Sequence, residues 1–363
     1  MRIAFYGSSL LSSYWNGAAT YYRGLLGELA RLGWSITFYE PDAFGRQARR
    51  DIDPPAWAEV VVWDDTADAC AEVVARAAEA DVVVKASGVG VFDDELLQVF
   101  DRAAPDAARI FWDVDAPATL ADLRATPDHP LRRRLAGLDH VLTYGGGPPV
   151  IAAYEALGAR GCRPIYNAVD PATHHPAAPD ARFDADLALL ANRLPDRESR
   201  IEAFFLEPAA RLPDRRFLLG GSGWDDKPIP SNVTPLGHVG TAEHNAFNCT
   251  PLAVLNVARD SMAEVGFSPA TRVFEATGAG ACLITDAWEG VETFLKPDEE
   301  ILVARDGREV AELLDGLTPE RARAIGDAAR RRVLAEHTYA RRAVEADALL
   351  RELVARRRER VAA

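Results

Sequence analysis

The chain has 363 residues, of which 48% are hydrophobic and 26% charged, and its formal net charge is -14 at pH 7. The length suits two packed domains, and the composition is typical of a folded chain and not of a disordered one. Nucleic-acid binders gain affinity by neutralising phosphates with basic side chains, so the acidic charge argues against a nucleic-acid partner. The four cysteines show no metal-ligand spacing and are expected to be reduced thiols.

The first residues, MRIAFYGSSLLSS, lack a basic region followed by a long apolar stretch. No window of the chain approaches eighteen uninterrupted apolar residues. We therefore expect a cytoplasmic protein that is neither exported nor membrane-spanning.

Short apolar runs rich in β-branched residues alternate with helical patterns in the first half of the chain. The runs are RIAFY (2–6), SITFY (35–39), EVVVW (59–63), DVVVKA (81–86), RIFWD (109–113), HVLTY (140–144) and RPIY (163–166). Continuous apolar runs are typical of parallel strands buried on both faces, and helical segments such as 19–32, 67–79 and 94–103 supply the crossovers. This pattern predicts a doubly wound, Rossmann-like domain over residues 1–168.

The stretch 169–183 is rich in Pro, Asp and Ala without helical or strand period, which is typical of an interdomain linker. The strand pattern then restarts with DLALLA (186–191), RFLLGG (216–221), NVTPLG (232–237), LAVLNV (252–257), ACLITD (281–286) and EILVA (300–304). A second Rossmann-like domain is therefore predicted over residues 184–340. The fold class is α/β, with the two parallel sheets expected to face one another across a cleft.

A helical tail is predicted from about Pro319 to Val361, with residues 341–363 forming a C-terminal helix that packs back toward the first domain. Its arginine-rich end, ARRRER, could be an anchor for a membrane surface. Acidic residues interleave with the arginines, however, and no large aromatic lies on an apolar face. An ordinary packed helix with a solvated end, without stable membrane anchoring, is the prediction.

The best candidate for chemistry is the segment GFSPATRVFEATGAGACLITD, residues 266–286, because ligands of parallel sheets bind beyond the carboxyl ends of the strands. Ser268 is a good N-cap and Pro269 suits the first helical position, so a helix is predicted from there to Gly278. A helix N-terminus can hold a pyrophosphate without a basic surface. Arg272 lies one turn further, and Glu275 follows on the same face, about 4.5 Å along the axis. A carboxylate there can accept hydrogen bonds from both ribose hydroxyls, although a surface ion pair between the two residues gives the same spacing.

The segment NVARDSMAEVGFSPATRVFEATGAGACLITDAWEGVETF resembles the donor-site region of the CgeB-like group of bacterial glycosyltransferases. Further similar stretches are YGSSLLSSYWNGAATYYRGLL, WDVDAPATL, TYGGGP, ANRLPDRE and LEPAARLPDRRFLLGG, so the resemblance covers nearly the whole chain. It implies the GT-B fold and a nucleotide-sugar donor in the second domain. Glu275 then matches the second acid of a pair that many retaining GT-B enzymes carry eight positions apart, but Phe267 stands where the first acid belongs and the nearest acid is Glu264.

Polar residues after neighbouring strands complete the predicted donor site. Asp286, Trp288 and Glu289 suit contacts to sugar hydroxyls and an apolar sugar face, and a surface loop with a packed Trp is the alternative. Arg193 and Arg197 follow the first strand of the second domain, and the resemblance points to Arg197 as the pyrophosphate partner, against a solvated ion pair with Glu198 or Asp196.

Two weaker donor-site candidates follow other strands of the second domain. Gly221, in the run GGSGW, lets backbone approach a ligand, although glycines also merely end strands. His238 could line a base pocket, although a lone histidine is more often structural.

The first domain is expected to supply the acceptor side. Asn16, Gly17 and Thr20 belong to a loop between the first strand and first helix that can close over donor phosphates or the acceptor. Asp113 and Asp115 follow the strand RIFWD, and one of them could be the base that deprotonates an acceptor hydroxyl. Their DVD pattern imitates a metal motif of another glycosyltransferase fold, but two Rossmann-like domains imply helix N-termini and arginines instead, so no metal and no bound cofactor are expected.

The sequence lacks GxSxG, HExxH, GxxxxGK[ST] and a GxGxxG with a suitably placed acid, which removes support for hydrolase, zinc-protease, P-loop and simple dehydrogenase functions. The leading prediction is a metal-independent glycosyltransferase that moves a sugar from a nucleoside-diphosphate sugar to an acceptor hydroxyl or amine of a small molecule or glycan. Two alternatives stay open. One is a GT-B enzyme that isomerises or hydrolyses a nucleotide sugar, and the other is a non-catalytic GT-B-like binding protein.

Overall fold

The computed structural model describes residues 1–14 and 16–363 and divides into two compact units. The first unit comprises Met1–Tyr166 together with Tyr339–Ala363, and the second comprises Asn167–Thr338. Each unit contains one parallel sheet, and all the strands expected from the apolar runs are present. The α/β prediction with two Rossmann-like domains is therefore confirmed.

The first unit has a seven-stranded sheet in the order β3-β2-β1-β4-β5-β6-β7. Its strands are β1 Arg2–Tyr6, β2 Ser35–Asp42, β3 Ala58–Asp64, β4 Val82–Ala86, β5 Ala108–Asp113, β6 His140–Thr143 and β7 Cys162–Pro164. Its helices are α1 Ala18–Arg31, α2 Ala67–Ala75, α3 Val99–Arg102, α4 Ala116–Ala125, α5 Pro130–Arg134 and α6 Gly147–Ala156, joined by α14 Tyr339–Ala362 from the end of the chain. The strand order reverses between β1 and β4, which makes their carboxyl ends the topological switch point of this sheet.

Continuous apolar sequence forms the central strands because helices cover both faces of the sheet. β4 is buried at every position, and β1 is buried from Ile3 onward. The aromatic rings of Phe5, Tyr22, Phe38 and Trp112 pack together at the centre, with the Phe5 and Phe38 rings stacked at 5.2 Å.

The second unit has a six-stranded sheet in the order β10-β9-β8-β11-β12-β13. Its strands are β8 Leu187–Leu190, β9 Phe217–Gly220, β10 Val233–Gly237, β11 Ala253–Asn256, β12 Leu283–Asp286 and β13 Leu302–Ala304. Its helices are α7 Glu198–Ile201, α8 Glu207–Arg211, α9 His244–Cys249, α10 Asp260–Val265, α11 Thr271–Gly278, α12 Gly307–Asp315 and α13 Pro319–Glu336. A single turn of π-helix, Glu202–Leu206, joins α7 to α8. Leu187, Phe205, Phe217 and Ile284 are among the fully buried residues of its core.

The predicted helical tail consists of two helices, because the chain leaves the helical path at His337 and Thr338 between α13 and α14. Helix α14 packs on α1, where Gly24 lies so close to the Tyr339 ring that a Cβ atom would come within 2.2 Å of it. Trp34, which lies between α1 and β2, donates its indole N–H to Asp347 of α14 at 2.7 Å. The expected packing of the C-terminal helix on the first domain is thus confirmed.

The arginines at the end of α14 pair with aspartates that precede strands of the first unit. Arg358 lies 2.6 Å from Asp81 before β4, and Arg360 pairs with the buried Asp139 before β6. The arginines of the basic run therefore help to attach α14 to the rest of the first unit. None of the described helices has an apolar stretch of the length that a bilayer crossing requires.

The segment predicted as a linker, 169–183, is hydrogen-bonded to the second unit. Val169 donates its N–H to the His337 carbonyl at 2.9 Å, and Asn245 of α9 donates to the Thr173 carbonyl at 2.9 Å. The unit boundaries therefore fall at Tyr166/Asn167 and Thr338/Tyr339.

Candidate functional site

Arg272 and Glu275 lie on α11, the second helix of the crossover from β11 to β12 in the second sheet. Glu275 is 9% exposed, and its Oε1 lies 3.9 Å from Nε2 of the buried His174. Among the described residues, none forms a hydrogen bond or ion pair with the Arg272 guanidinium. Burial lowers the pKa of Arg272, and the nearby charge of Glu275 opposes that shift. The alternative of a surface ion pair between Arg272 and Glu275 is therefore not what the structure shows; it shows a partly buried guanidinium without a bonded counterion.

Arg197 brings a second guanidinium close to Arg272. Its Nη2 donates to the Asn192 carbonyl at 3.0 Å, while its Nε is buried and has no hydrogen-bond partner. Burial lowers the pKa of Arg197, and the positive charge of Arg272 lowers it further. The two guanidiniums repel each other, are partly buried and have N–H groups without hydrogen-bond partners. An anion bound between them would accept hydrogen bonds from these groups and offset the repulsion.

His244, at the start of α9, belongs to the same cluster. Its Nε2 lies 3.3 Å from the Val239 carbonyl. Burial lowers the pKa of His244, Arg272 lowers it further, and Glu275 acts in the opposite direction. Sequence reasoning selected His238 instead, which is exposed on the loop after β10 and has no described partner. No local pattern marks His244, because only the fold brings it beside α11.

The prediction that Ser268 caps the helix is wrong. Helix α11 begins at Thr271 with Ala270 at the capping position, and the Ser268 hydroxyl donates to the Gly266 carbonyl at 2.9 Å. The loop before the helix is lengthened by two residues in the left-handed region, Gly266 at φ 72 and Phe267 at φ 47. The predicted end of the helix at Gly278 is confirmed.

Phe267 ties the loop before α11 to the loop after β12. Its N–H donates to the Glu289 carbonyl at 2.6 Å, and its ring lies over Gly290, where a Cβ atom would come within 2.2 Å of the ring. Gly290 is itself left-handed, at φ 90. The residue that stands where the first acid was sought thus holds two loops together.

Asp286 is not available for a sugar. It is fully buried, its Oδ2 lies 2.5 Å from Nη2 of Arg200, and its Oδ1 accepts from the Ala258 N–H at 3.0 Å and the Thr285 hydroxyl at 3.2 Å. Burial raises the pKa of this carboxyl, and the hydrogen bond from Arg200 opposes the shift. Asp286 therefore supports the loop after β11, and its prediction as a sugar-binding residue is corrected.

Its two predicted companions differ in exposure. Trp288 is 7% exposed with its ring 5.9 Å from that of Phe294, which is the packed-Trp alternative. Glu289 has an exposed side chain.

Arg193 and Gly221 have structural partners. The Arg193 guanidinium binds both Glu198 oxygens at 2.8 Å and Asp226 at 2.7 Å, so the ion-pair alternative holds and its donor-binding role is corrected. Gly221 is left-handed at φ 117, and a Cβ atom there would lie 2.1 Å from the Ala191 carbonyl oxygen. Glycine is required here because the Ala191 backbone approaches closely, and no ligand is needed to explain it.

In the first unit, Asp113 is fully buried and accepts four hydrogen bonds. They come from the Tyr154 hydroxyl at 2.5 Å, the Ser87 hydroxyl at 2.7 Å, and the Asp115 N–H and Thr119 hydroxyl, both at 3.0 Å. Burial raises the pKa of Asp113, and these hydrogen bonds oppose the shift. Its four partners leave it no room for an acceptor hydroxyl, so Asp113 as a catalytic base is corrected to a residue that positions the loops after β4 and β5.

Asp115 is the better placed of the two aspartates. It is partly exposed at the capping position of α4 and lines a cavity of about 320 Å³ together with Lys85, Asp122 and His129. Lys85 is buried and pairs with Asp93.

Of the predicted loop residues of the first unit, Asn16 and Gly17 lie between β1 and α1, whereas Thr20 belongs to α1. Asn16 is buried, where its side-chain amide donates to the Ser9 and Ser12 carbonyls and accepts from the Ser8 hydroxyl at 3.0 Å. Gly17 is exposed just before α1, and Thr20 is half-buried within its first turn. Asn16 thus shapes the loop, and its side chain is occupied by that task.

Comparison with known proteins agrees with this architecture. Residues 197–361, a little under half of the chain, match a family model described as glycosyl transferase-like. No curated protein sequence matches the chain. Sucrose-phosphate synthase from Thermosynechococcus elongatus is similar in structure, with a TM-score of 0.70 at 17% identity, covering 98% of this chain and 99% of that one.

Two further solved structures are similar over nearly their whole length. Anabaena HepE in complex with UDP-glucose has a TM-score of 0.69 at 13% identity, covering 97% of this chain and 100% of that one. An α-glucosyltransferase in complex with UDP-glucose and DNA has a TM-score of 0.70 at 10% identity, covering 96% and 99%. At such identities these likenesses establish the GT-B fold.

Fold and family match together define the class: a protein of the GT-B fold in which residues 197–361 match a glycosyl transferase-like family model. The prediction of a glycosyltransferase is confirmed at this level. The narrower resemblance to the CgeB-like group stays a prediction.

Proposed function

We propose that the chain transfers a sugar from a nucleoside-diphosphate sugar to an acceptor hydroxyl or amine, with the donor held by the second unit. The observation that carries this proposal is the pair of partly buried guanidiniums, Arg197 and Arg272, that lack a bonded counterion. A diphosphate supplies the missing negative charge and accepts from their free N–H groups. The structural neighbours solved with UDP-glucose agree with this class of donor.

Glu275 is the proposed ribose-binding residue. It lies one turn beyond Arg272 on the same face of α11, about 4.5 Å along the axis, which is roughly the step from diphosphate to ribose. A carboxylate can accept from both ribose hydroxyls. His174 lies 3.9 Å from Glu275, and His244 is near enough for the charge of Glu275 to act on it; both are proposed to contact the nucleotide.

In the proposed reaction the bond between the anomeric carbon and the diphosphate oxygen breaks, and the acceptor oxygen or nitrogen bonds to the anomeric carbon. Negative charge grows on the leaving diphosphate, and the two arginines stabilise it without a metal ion. Asp115 is the proposed base for the acceptor proton, because the buried Asp113 is saturated by hydrogen bonds. The acceptor is proposed to be a small molecule or glycan and not a nucleic acid, since the chain is acidic.

Retention of the anomeric configuration is proposed from the match of Glu275 to the second acid of the retaining pair. Phe267, in place of the first acid, leaves no carboxylate at that position. The configuration of the product at the anomeric carbon, measured by NMR, tests this point, and an inverted product contradicts it.

A panel of nucleoside diphosphates in a thermal-unfolding assay tests the donor site. A ligand at a hundred times its dissociation constant stabilises the folded state by about 2.7 kcal/mol. Replacing Glu275 by alanine is expected to weaken nucleotide binding by roughly 1.5 to 3 kcal/mol. Glu264→Ala is the matched control, because Glu264 is exposed eleven residues earlier and is expected to leave affinity unchanged. Equal affinities of the two variants would refute the assignment.

A further inference from the structure

Phe44 is an aromatic residue whose position folding does not explain. It is 59% exposed, and its backbone is in the left-handed region at φ 56. A bulky side chain disfavours that conformation, and burial cannot compensate when most of the ring remains in solvent. Strain retained at an exposed residue points to a role in binding.

The Phe44 ring lies at the switch point of the first sheet. Phe44 follows β2, and its ring lies over Gly90 in the loop after β4, where a Cβ atom would come within 2.7 Å of it. The ring therefore reaches from the carboxyl end of β2 to that of β4. In open parallel sheets this crevice is where ligands bind.

Arg46 places a buried cation beside the ring. The residue is 8% exposed, and its guanidinium carbon lies 5.0 Å from the centre of the Phe44 ring. Its Nη1 donates to the Ser8 and Val89 carbonyls at 3.3 and 3.4 Å. Its Nε is buried without a hydrogen-bond partner, and no hydrogen bond involves Nη2 in the described part of the chain. Nε and Nη2 form the edge of a guanidinium that binds carboxylate and phosphate side-on.

The carboxylate that acts on Arg46 is already occupied. Glu40 is fully buried, and its oxygens accept from the backbone N–H groups of Leu10 and Leu11, the Ser9 hydroxyl and the Gln47 amide. Its charge favours the cationic form of Arg46 across space, but it does not take the free edge of the guanidinium.

We propose that Phe44 and Arg46 bind the acceptor, and that the acceptor is an anionic sugar. This inference rests on the proposed function. The exposed face of the Phe44 ring stacks on the C–H face of a sugar ring, and the free edge of Arg46 pairs with a phosphate or carboxylate carried by that sugar. The site lies in the first unit and shares no residue with the proposed nucleotide site.

Isothermal titration of the full chain tests this site with three probes: glucose 6-phosphate, glucuronate and glucose. The titrations are made on the Arg272→Ala background, which weakens phosphate binding at the nucleotide site, and Arg46→Gln on the same background measures the phosphate binding that remains there. We expect one of the two anionic sugars to bind at least about tenfold more tightly than glucose. Which of them does so distinguishes a phosphate-bearing acceptor from a carboxylate-bearing one. Equal affinities of all three sugars would overturn the proposal.

Phe44→Gly separates binding from folding. Glycine adopts a φ of 56 without strain, so the melting temperature of Phe44→Gly is expected to stay unchanged or rise. Its affinity for the anionic sugar is expected to fall about threefold to tenfold. Phe92→Gly is the matched control: Phe92 is also left-handed, at φ 51, but its ring packs 6.1 Å from that of Trp63. It should lower the melting temperature and spare sugar affinity. Unchanged sugar affinity in Phe44→Gly would overturn the proposal.

Arg46→Gln is expected to remove the preference for anionic sugars over glucose. A retained preference in this variant contradicts the assignment of the anion to Arg46. A separate titration of UDP into the chain with Arg272 intact tests the nucleotide site. Failure of UDP to bind there refutes the nucleotide site in the second unit and leaves the sugar titrations interpretable.

Discussion

Replacing Arg272 by methionine should raise the melting temperature of the free protein and weaken its binding of UDP. In the free protein the guanidinium is partly buried, makes no described hydrogen bond, and lies near the like charge of Arg197. Removing it takes away a desolvation penalty and a repulsion while keeping an unbranched side chain of similar length. In the nucleotide complex the same guanidinium is proposed to bind the diphosphate, and its removal leaves that charge less compensated.

The magnitudes follow from these two roles. Replacing buried charged groups by apolar ones of similar shape is often neutral or stabilising, so a gain of about 1 kcal/mol is expected in the free protein. For a unit of this size that corresponds to a rise of about 2–4 °C in melting temperature. Loss of a charge-assisted hydrogen bond costs about 1.5–3 kcal/mol, which weakens UDP binding roughly 10- to 150-fold.

The assay is thermal unfolding with and without UDP, and Arg193→Met is the matched control. Arg193 belongs to the same unit but is bonded to Glu198 and Asp226. Because these ion pairs are exposed to solvent, its replacement should change stability little and leave UDP affinity unchanged. The reasoning is refuted if Arg272→Met lowers the melting temperature of the free protein by several degrees, or if it binds UDP as the unsubstituted chain does.

Three further predictions concern stability. Because folding lowers the pKa of His244, the unfolded chain binds more protons, and the free energy of unfolding should fall as the pH drops below about 6.5. In denaturation series across that pH range, His244→Gln should show a smaller fall. An identical pH profile for the variant contradicts this prediction. Asp286→Asn should cost about 3 kcal/mol in chemical denaturation because it leaves Arg200 beside a neutral group, and a loss below about 1 kcal/mol would count against the buried pair. Gly221→Ala should destabilise by more than about 2 kcal/mol through a clash with backbone, whereas Gly237→Ala, left-handed but with open space around it, should cost about 1 kcal/mol; equal losses would show that the close contact is unimportant.

The sheets could be predicted from sequence because buried parallel strands need continuous apolar runs. DVVVKA and RIFWD are examples, and β4 and β5 lie where those runs occur. The alternating helices and the chain length then leave two doubly wound domains as the simplest arrangement. The helical tail was predicted to divide at residue 340, and the structure divides it at His337 and Thr338; the exact position could not be predicted because neither residue is a strong helix breaker.

The candidate site was predictable only where it is local. Arg272 and Glu275 share a helical face through their spacing, so their proximity needs no tertiary information. Whether a carboxylate is free depends on residues far away in sequence: Asp113 is bonded to Tyr154, and Asp286 to Arg200. The position of Ser268 illustrates a different limit, because the left-handed Phe267 delays the helix, and a phenylalanine gives no sign of that conformation.

Helix α14 determines which of the two units can finish folding first during synthesis. Residues 339–362 bury Tyr339, Ala343, Leu350 and Val354 within the unit that begins at Met1. The first unit therefore stays incomplete until those residues have left the ribosome, whereas the second unit, contiguous from Asn167 to Thr338, can close earlier. Residues 1–166 should therefore become resistant to protease later than the second unit although they are made before it, and the apolar side of α1 is the surface that a chaperone would meet in the interval.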